Sequence, residues 1–356
     1  MTDEQEPWDD AWWEEDTTPS KIEAALREML ATRHHESHAF VPARVLNLVV
    51  IADREYRGEI QNRLQRVGRY HPSRLVLCSV SEGKENIDAR VEIGTSQFAG
   101  PGHIAVGRER IGLHIGPRHL DKLDTIVDPL LVPDLATVVW APHGHSEGVD
   151  ALRRLAQIVL LDSQDRPTVI EGFARALDLS QNAYVVDLAW LRSTPWRERI
   201  AAAFDPVVER AQLNAIASVT VRHRDDSLAA AVLFCGWLSS RLGWRPESLG
   251  HAGGSYTGHA RGRKSEVKIC LESANQNAPG LAGVTIETAS GEAISLDRSS
   301  GGLRSLRRSR DGEEQSWTVL GASRGESGIL GEGVRQALLR DPTYLPALRC
   351  ARAFVA

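Results

Sequence analysis

Residues 44–52, RVLNLVVIA, followed by residues 55–68, EYRGEIQNRLQRVG, and residues 74–80, RLVLCSV, decide the fold. The first run is apolar, of strand length and rich in β-branched residues, which suits a strand covered on both faces of a sheet. In the second, Ile60, Leu64 and Val67 recur at helical spacing, and the third is again a strand. Strand, helix and strand in that order make a parallel crossover unit.

Outward from this unit the pattern continues. Strands are expected at 87–93, 111–115, 136–140 and 157–161, with helices at 118–131 and 168–177. Before it, Ile22, Leu26, Met29 and Leu30 share one helical face, with Ser20 as the expected N-cap and Glu23 completing a capping box. That helix is expected to end before His34.

Residues 187–206, DLAWLRSTPWRERIAAAFDP, close the first half. Asp187 reads as the N-cap of a short helix to Arg192, and Pro195 as the opening turn of a second helix to about Phe204. Trp190 and Trp196 alternate here with Arg192, Arg197 and Arg199. Such a mixture is enriched among the anchors of protein interfaces. It equally fits two tryptophans filling the chain's own core, with the arginines satisfying nearby carboxylates.

A second domain is expected from 207. It starts with a strand at 213–222, then an apolar helix capped by Ser227 and closed by Gly243 after Leu242. Short strands at 266–271, 284–288, 293–297, 302–307 and 316–320 read as an antiparallel meander, and helices at 333–340 and 342–354 close the chain. The fold class is therefore α/β: an N-terminal, mainly parallel sheet with flanking helices over 20–206, followed by an α+β domain over 207–356. Residues 1–19 are read as a disordered acidic tail carrying Trp8, Trp12 and Trp13.

Charge narrows the choice of partner. The net charge is -5, but the first 16 residues hold eight acids and no base, which leaves 42 basic against 39 acidic residues in the body. A nearly neutral body argues against nucleic acid and against a membrane surface as partners. The acidic start does not resemble a signal peptide, so a cytoplasmic location is expected. Four scattered cysteines, Cys78, Cys235, Cys270 and Cys350, form no CxxC pair, and disulfides are not expected to hold the fold.

Motifs for catalysis and cofactors are near misses. Residues 100–105, GPGHIA, match a loose GxGxxA, yet no apolar strand leads into them. The basic, glycine-rich residues 251–265 place Arg263 where a Walker loop needs glycine, and are read as a surface loop. Residues 253–257, GGSYT, lack the last glycine of a nucleophile elbow, and Ser265 with Lys268 makes an isolated SxxK. His34, His35 and His38 have no cysteine or carboxylate set beside them and are read as a polar loop rather than a metal site. No cofactor, metal or catalytic residue is assigned. One location stays open: His143 and His145 follow the strand at 136–140, at the end of a parallel sheet where ligands bind. A small-molecule enzyme or metabolite-sensing module would use that pocket.

The segment 187–206 resembles the signature of the bacterial glucose-6-phosphate dehydrogenase assembly protein family, OpcA. Residues 234–246, FCGWLSSRLGWRP, are similar to that family's second recurrent segment, with cyanobacterial members nearest. Residues 43–51, 71–78 and 128–142 add weaker similarity in the same order. The resemblance implies a non-catalytic accessory protein that binds glucose-6-phosphate dehydrogenase and favours its active oligomer or substrate-competent state in the oxidative pentose phosphate pathway. On this analogy Trp190, Arg192, Trp196 and Arg197 are the candidate partner-binding residues. The acidic tail lies outside the resemblance.

Overall fold

The computed structural model describes residues 10–36, 40–41, 44–70, 72–97, 105–263, 265–299, 302–320 and 326–356. The chain divides into two compact units, Met1–Leu161 with Asn182–Val186, and Asp162–Gln181 with Asp187–Ala356.

The first unit contains β1 (Asp10–Glu14), α1 (Pro19–Glu36), β2 (Phe40–Val41), β3 (Leu46–Asp53), α2 (Arg57–Tyr70), β4 (Ser73–Val80), β5 (Asp88–Gln97) and β6 (Ala105–Ile115). It continues with α3 (Leu123–Val127), β7 (Thr137–Trp140), α4 (Ser146–Ala151) and β8 (Ile158–Leu161). After α5 (Val169–Leu179), which groups with the second unit, β9 (Tyr184–Asp187) returns to the sheet. The strand order is β1-β5-β6-β4-β3-β7-β8-β9, with β2 on β6. The pairs β6–β4, β4–β3, β3–β7 and β7–β8 are parallel, while β1–β5 and β5–β6 are antiparallel.

From β3 the chain therefore builds outward through β4 and β6, then crosses back and builds the other way through β7, β8 and β9. This is the doubly wound order, with its reversal between β3 and β7. Leu46, Leu48, Val49, Val50 and Ile51 are all buried, as the continuous apolar run requires of a strand covered on both sides. Its one polar member, Asn47, is fully buried because its amide bonds the loop before β7: Nδ2 donates to the Val132 carbonyl at 3.1 Å and Oδ1 accepts from the Val132 amide at 2.9 Å. Glu109 on β6 is likewise buried between Arg74, at 2.7 Å, and Arg44.

The second unit adds α6 (Leu188–Arg192), α7 (Thr194–Ala203), α8 (Val207–Arg210), β10 (Ile216–His223), α9 (Leu228–Leu242), β11 (Arg245–Pro246), β12 (Gly250–Ala252) and β13 (Ser255–Arg261). Then come β14 (Glu266–Ser273), β15 (Leu281–Thr288), β16 (Ala293–Ser299), β17 (Gly302–Arg308), β18 (Glu314–Leu320), α10 (Glu326–Leu339) and α11 (Tyr344–Val355). Its sheet runs β11-β13-β14-β10-β15-β16-β17-β18, with β12 on β13; β10–β14 is its parallel pair and β15 to β18 form the meander. Helix α9 packs on β10 and β14 and against α11. The two helices meet closely at Gly236, where an added Cβ would lie 2.3 Å from the Ala347 carbonyl oxygen.

Several expectations change. Residues 10–14 are not a solvated tail but an edge strand, with Trp12 opposite Val91; the self-repulsion of the acids is offset by contacts such as Arg33 to Asp10 at 2.6 Å. Residues before Asp10 lie outside the described set, as do His38 and Gly100 to Ile104 of the GPGHIA motif. The helix α1 runs through His34 and His35 to Glu36, and Ser20 lies inside it, not at its cap. Residues 251–265 supply β12 and β13 in place of a loop, because β14 offers a free edge with which alternating side chains can pair. Ser227 does not cap α9; its hydroxyl accepts from the Gly280 amide, and the Gln164 side chain accepts the Ala229 amide instead. Strand β9 had no counterpart in the sequence reading. The segment 187–206, expected to end the first domain, groups with the second unit, since α6 packs against α9 and α10.

Candidate functional site

Two places follow from the sequence. In the first unit, the carboxyl ends of β3 and β7 flank the reversal of strand order, where doubly wound sheets bind their ligands. A dinucleotide site there needs glycines in the first turn, so that a pyrophosphate can reach the amides at the start of the helix. Here the turn reads Asp53, Arg54, Glu55, Tyr56, with a single 3₁₀ turn over Arg54–Tyr56 leading into α2. Asp53 Oδ1 lies 3.0 Å from His145 Nε2, and the Tyr56 ring packs against His143, 4.1 Å between centroids and tilted by 41°.

His145 reaches Asp53 because Gly144 and His145 itself both adopt left-handed backbone, with φ of 107° and 48°. Its side chain is 12% exposed. Burial pulls the His143 pKa down, against the opposing charges of Glu59 and Asp53. The structure thus brings both predicted histidines to the switch point, where each is engaged by a group of the first turn. Two carboxylates and an aromatic ring stand where phosphate oxygens would need amide donors, so the residues present do not fit a dinucleotide. Among the described residues no group of three or more His, Cys, Asp or Glu side chains could hold a metal ion.

The second place is the Trp/Arg segment. Asp187 caps α6 as expected: Oδ1 accepts the Ala189 amide at 3.0 Å and the Ser163 amide at 3.1 Å. Its Oδ2 accepts the Tyr344 hydroxyl at 2.9 Å. Full burial, and then the negative charge of Asp162, push the Asp187 pKa up to about 6 against these hydrogen bonds.

Trp190, 2% exposed, is the hub. Its indole nitrogen donates to Asp341 Oδ2 at 2.9 Å, and the Tyr344 ring lies 5.6 Å away, tilted by 59°. The Arg197 guanidinium carbon sits 3.3 Å from the Trp190 ring centroid. Burial lowers the Arg197 pKa to about 9, against the carboxylates of Asp341 and Glu198. At Asp341, burial pushes the pKa up, but hydrogen bonds from Thr343 and Trp190 and the Arg197 charge overcome it and leave the group below the usual range. Arg192 pairs with Asp162 at 2.6 Å, with side chains 12% and 6% exposed. Trp196 is 1% exposed, with Arg298 5.9 Å from its ring.

All four predicted contact residues are therefore enclosed within the second unit. Trp190 and Arg197 link α6 and α7 to Asp341 just before α11, Arg192 ties α6 to Asp162 and Trp196 lies near Arg298, so their side chains are turned inward. The packing alternative in the sequence reading describes their geometry. Helical spacing places Tyr344 on the inward face of the last helix, but nothing local pairs it or Asp341 with the Trp/Arg segment; both lie about 150 residues downstream and complete the cluster.

Comparison with known proteins bears on both units. Residues 64–177 match the OpcA family described as glucose-6-phosphate dehydrogenase subunit N-terminal domain, and residues 183–348 its C-terminal domain. A protein named for the OxPP cycle, OpcA, of Synechococcus elongatus is 28% identical over 211 residues, which is 58% of this chain and 47% of that protein. Its namesake in Synechocystis is 23% identical over 284 residues, 78% of this chain and 58% of that protein. The chain spans about half the length of these curated relatives. Among solved structures, an oxidoreductase from Sinorhizobium meliloti aligns with a TM-score of 0.50 at 11% identity, covering 87% of this chain and 95% of that one. At that identity the likeness is one of fold.

Proposed function

Because this chain belongs to the OpcA family of glucose-6-phosphate dehydrogenase assembly proteins, we propose that it binds glucose-6-phosphate dehydrogenase and promotes formation of its active state. The observation that carries this reading is the match of residues 64–177 and 183–348, in order, to the N-terminal and C-terminal domains of that family. The chain acts as an accessory protein of the oxidative pentose phosphate pathway and does not itself transfer hydride. The switch point supports that second half: a fold of dehydrogenase type has acids and Tyr56 in the turn that would cradle a pyrophosphate.

An effector of this kind works only by binding the active arrangement of the enzyme more tightly than the inactive one. A difference of about 1 to 3 kcal/mol changes apparent substrate affinity by roughly 5- to 150-fold. The enclosed Trp190, Arg192, Trp196 and Arg197 serve this role indirectly, by fixing α7, whose outer face at Glu198, Ala201 and Ala202 meets solvent. Sedimentation of the chain mixed with the dehydrogenase of the same organism tests the reading. A faster-sedimenting complex is expected, and two independent boundaries at micromolar concentrations would refute it.

A further inference from the structure

The sheet of the second unit has two unlike faces. Val219, Val221, Ile269, Leu271, Val284 and Ile286 point to one and are buried. The strand registers align the alternate residues of the other, solvent-accessible face into rows that run across the sheet. One row reads Glu272, Arg222, Gly283, Asp297, Arg304 on β14, β10, β15, β16 and β17. Arg222 crosses over Gly283 to reach Asp297 at 2.8 Å, where an added Cβ on Gly283 would stand 2.5 Å from both side chains. In the next row Thr220, Thr285 and Ser295 are short, with Cys270 and Leu306 outside them.

The charge row changes sign on reflection about Gly283: negative, positive, none, negative, positive. From this we infer that the open face is an isologous interface between two copies of this chain. A two-fold axis lying between facing sheets and parallel to β15 exchanges β10 with β16 and β14 with β17. Glu272 then meets Arg304 of the second copy, and Arg222 meets Asp297 of the second copy. At the axis the Arg222–Asp297 pair that covers Gly283 in one copy lies against the same pair of the other. In the adjacent row Thr220 faces Ser295 and Cys270 faces Leu306, so polar meets polar and apolar meets apolar. Seven strands at about 4.8 Å spacing and about five residues at 3.3 Å give a total buried area on the order of 1,000 Å², the lower range for a specific interface. The third row departs from the pattern. Lys268 faces Arg308 of the second copy, and the two Glu287 carboxylates face each other, each held by its own Arg308 at 3.2 Å.

These contacts define a charge-swap experiment on the full chain, read by sedimentation equilibrium at low ionic strength. The dimer is measured without dehydrogenase, so its outcome is separate from that of the accessory role; a second run adds the enzyme. The wild type is expected to dimerise. Glu272→Arg and Arg304→Glu should each weaken the dimer by about tenfold or more, since each creates two like-charge contacts. The double variant should recover the wild-type constant, which no misfolded protein would do. Lys268→Glu should tighten the dimer by replacing repulsion with attraction. A wild type that stays monomeric overturns the proposal, as do single variants that dimerise unchanged or a double variant that fails to recover. A monomeric wild type whose Glu272→Arg variant loses the dehydrogenase also overturns it, by giving the face to that enzyme.

Discussion

The guanidinium carbon of Arg197 lies over the indole of Trp190, 3.3 Å from the ring centroid, while the same indole donates its N–H to Asp341. One aromatic ring thus joins a cation from α7 to a carboxylate at the start of α11. The ring face and the Asp341 charge offset part of the cation's desolvation, and the lowered pKa, about 9, still leaves it charged at neutral pH.

Trp190→Phe keeps a ring under Arg197 but removes the donor to Asp341. A loss of about 1–3 kcal/mol is expected, against about 3–5 kcal/mol for Trp190→Ala, which also opens a cavity. Urea unfolding followed by tryptophan fluorescence and far-UV circular dichroism measures both. Equal costs would show that the indole nitrogen contributes nothing.

Asp187 makes stability depend on pH in the direction opposite to most carboxylates. Burial raises its folded pKa to about 6, well above the ordinary carboxylate range, so the folded state holds the proton more tightly. Its contribution is greatest below pH 4 and declines as pH rises to 6, by about 3 kcal/mol in total. In Asp187→Asn that decline should be missing, so the difference between variant and wild-type stability should grow in the variant's favour from pH 4 to 6 and then level off. A difference independent of pH would contradict the assignment.

Glu109 is the shared acceptor of Arg74 and Arg44 in the first unit, with its own side chain 1% exposed. Glu109→Gln leaves two arginines facing a neutral amide, and about 3–5 kcal/mol of destabilisation is expected. A midpoint of urea unfolding unchanged from wild type would mean that solvent already satisfies both arginines.

NADP+ should not raise the melting temperature of the chain, because Asp53 and Glu55 occupy the turn that would bind its phosphates. Thermal denaturation against increasing NADP+ reads this directly. A saturable rise would contradict the account of the switch point.

The legible parts of the sequence were those governed by local chemistry. The apolar run of β3, the N-cap at Asp187, the Pro195 helix start and the Gly243 C-cap each depend on a few neighbouring residues, and each forms as read. What was missed depends on distant partners. Strand β9 is four residues long and needs the edge of β8 to be a strand at all. Residues 251–265, which include β13, carry glycines and bases that suit a loop until β14 lies beside that strand. The Trp/Arg pattern did not give the direction of its side chains, since interface anchors and core anchors have the same composition. Asp341 and Tyr344, which turn the segment inward, are far along the chain.

The central claim is that this chain changes the state of another protein rather than transforming a substrate itself. It is tested most directly by titrating the chain into the glucose-6-phosphate dehydrogenase of the same organism while measuring the rate of NADP+ reduction at limiting glucose 6-phosphate. The account predicts a saturable rise in rate that ends at a fixed ratio of the two proteins, with no NADP+ reduction by the chain alone. A rate that stays constant through an excess of the chain, or reduction of NADP+ when the dehydrogenase is omitted, would contradict it.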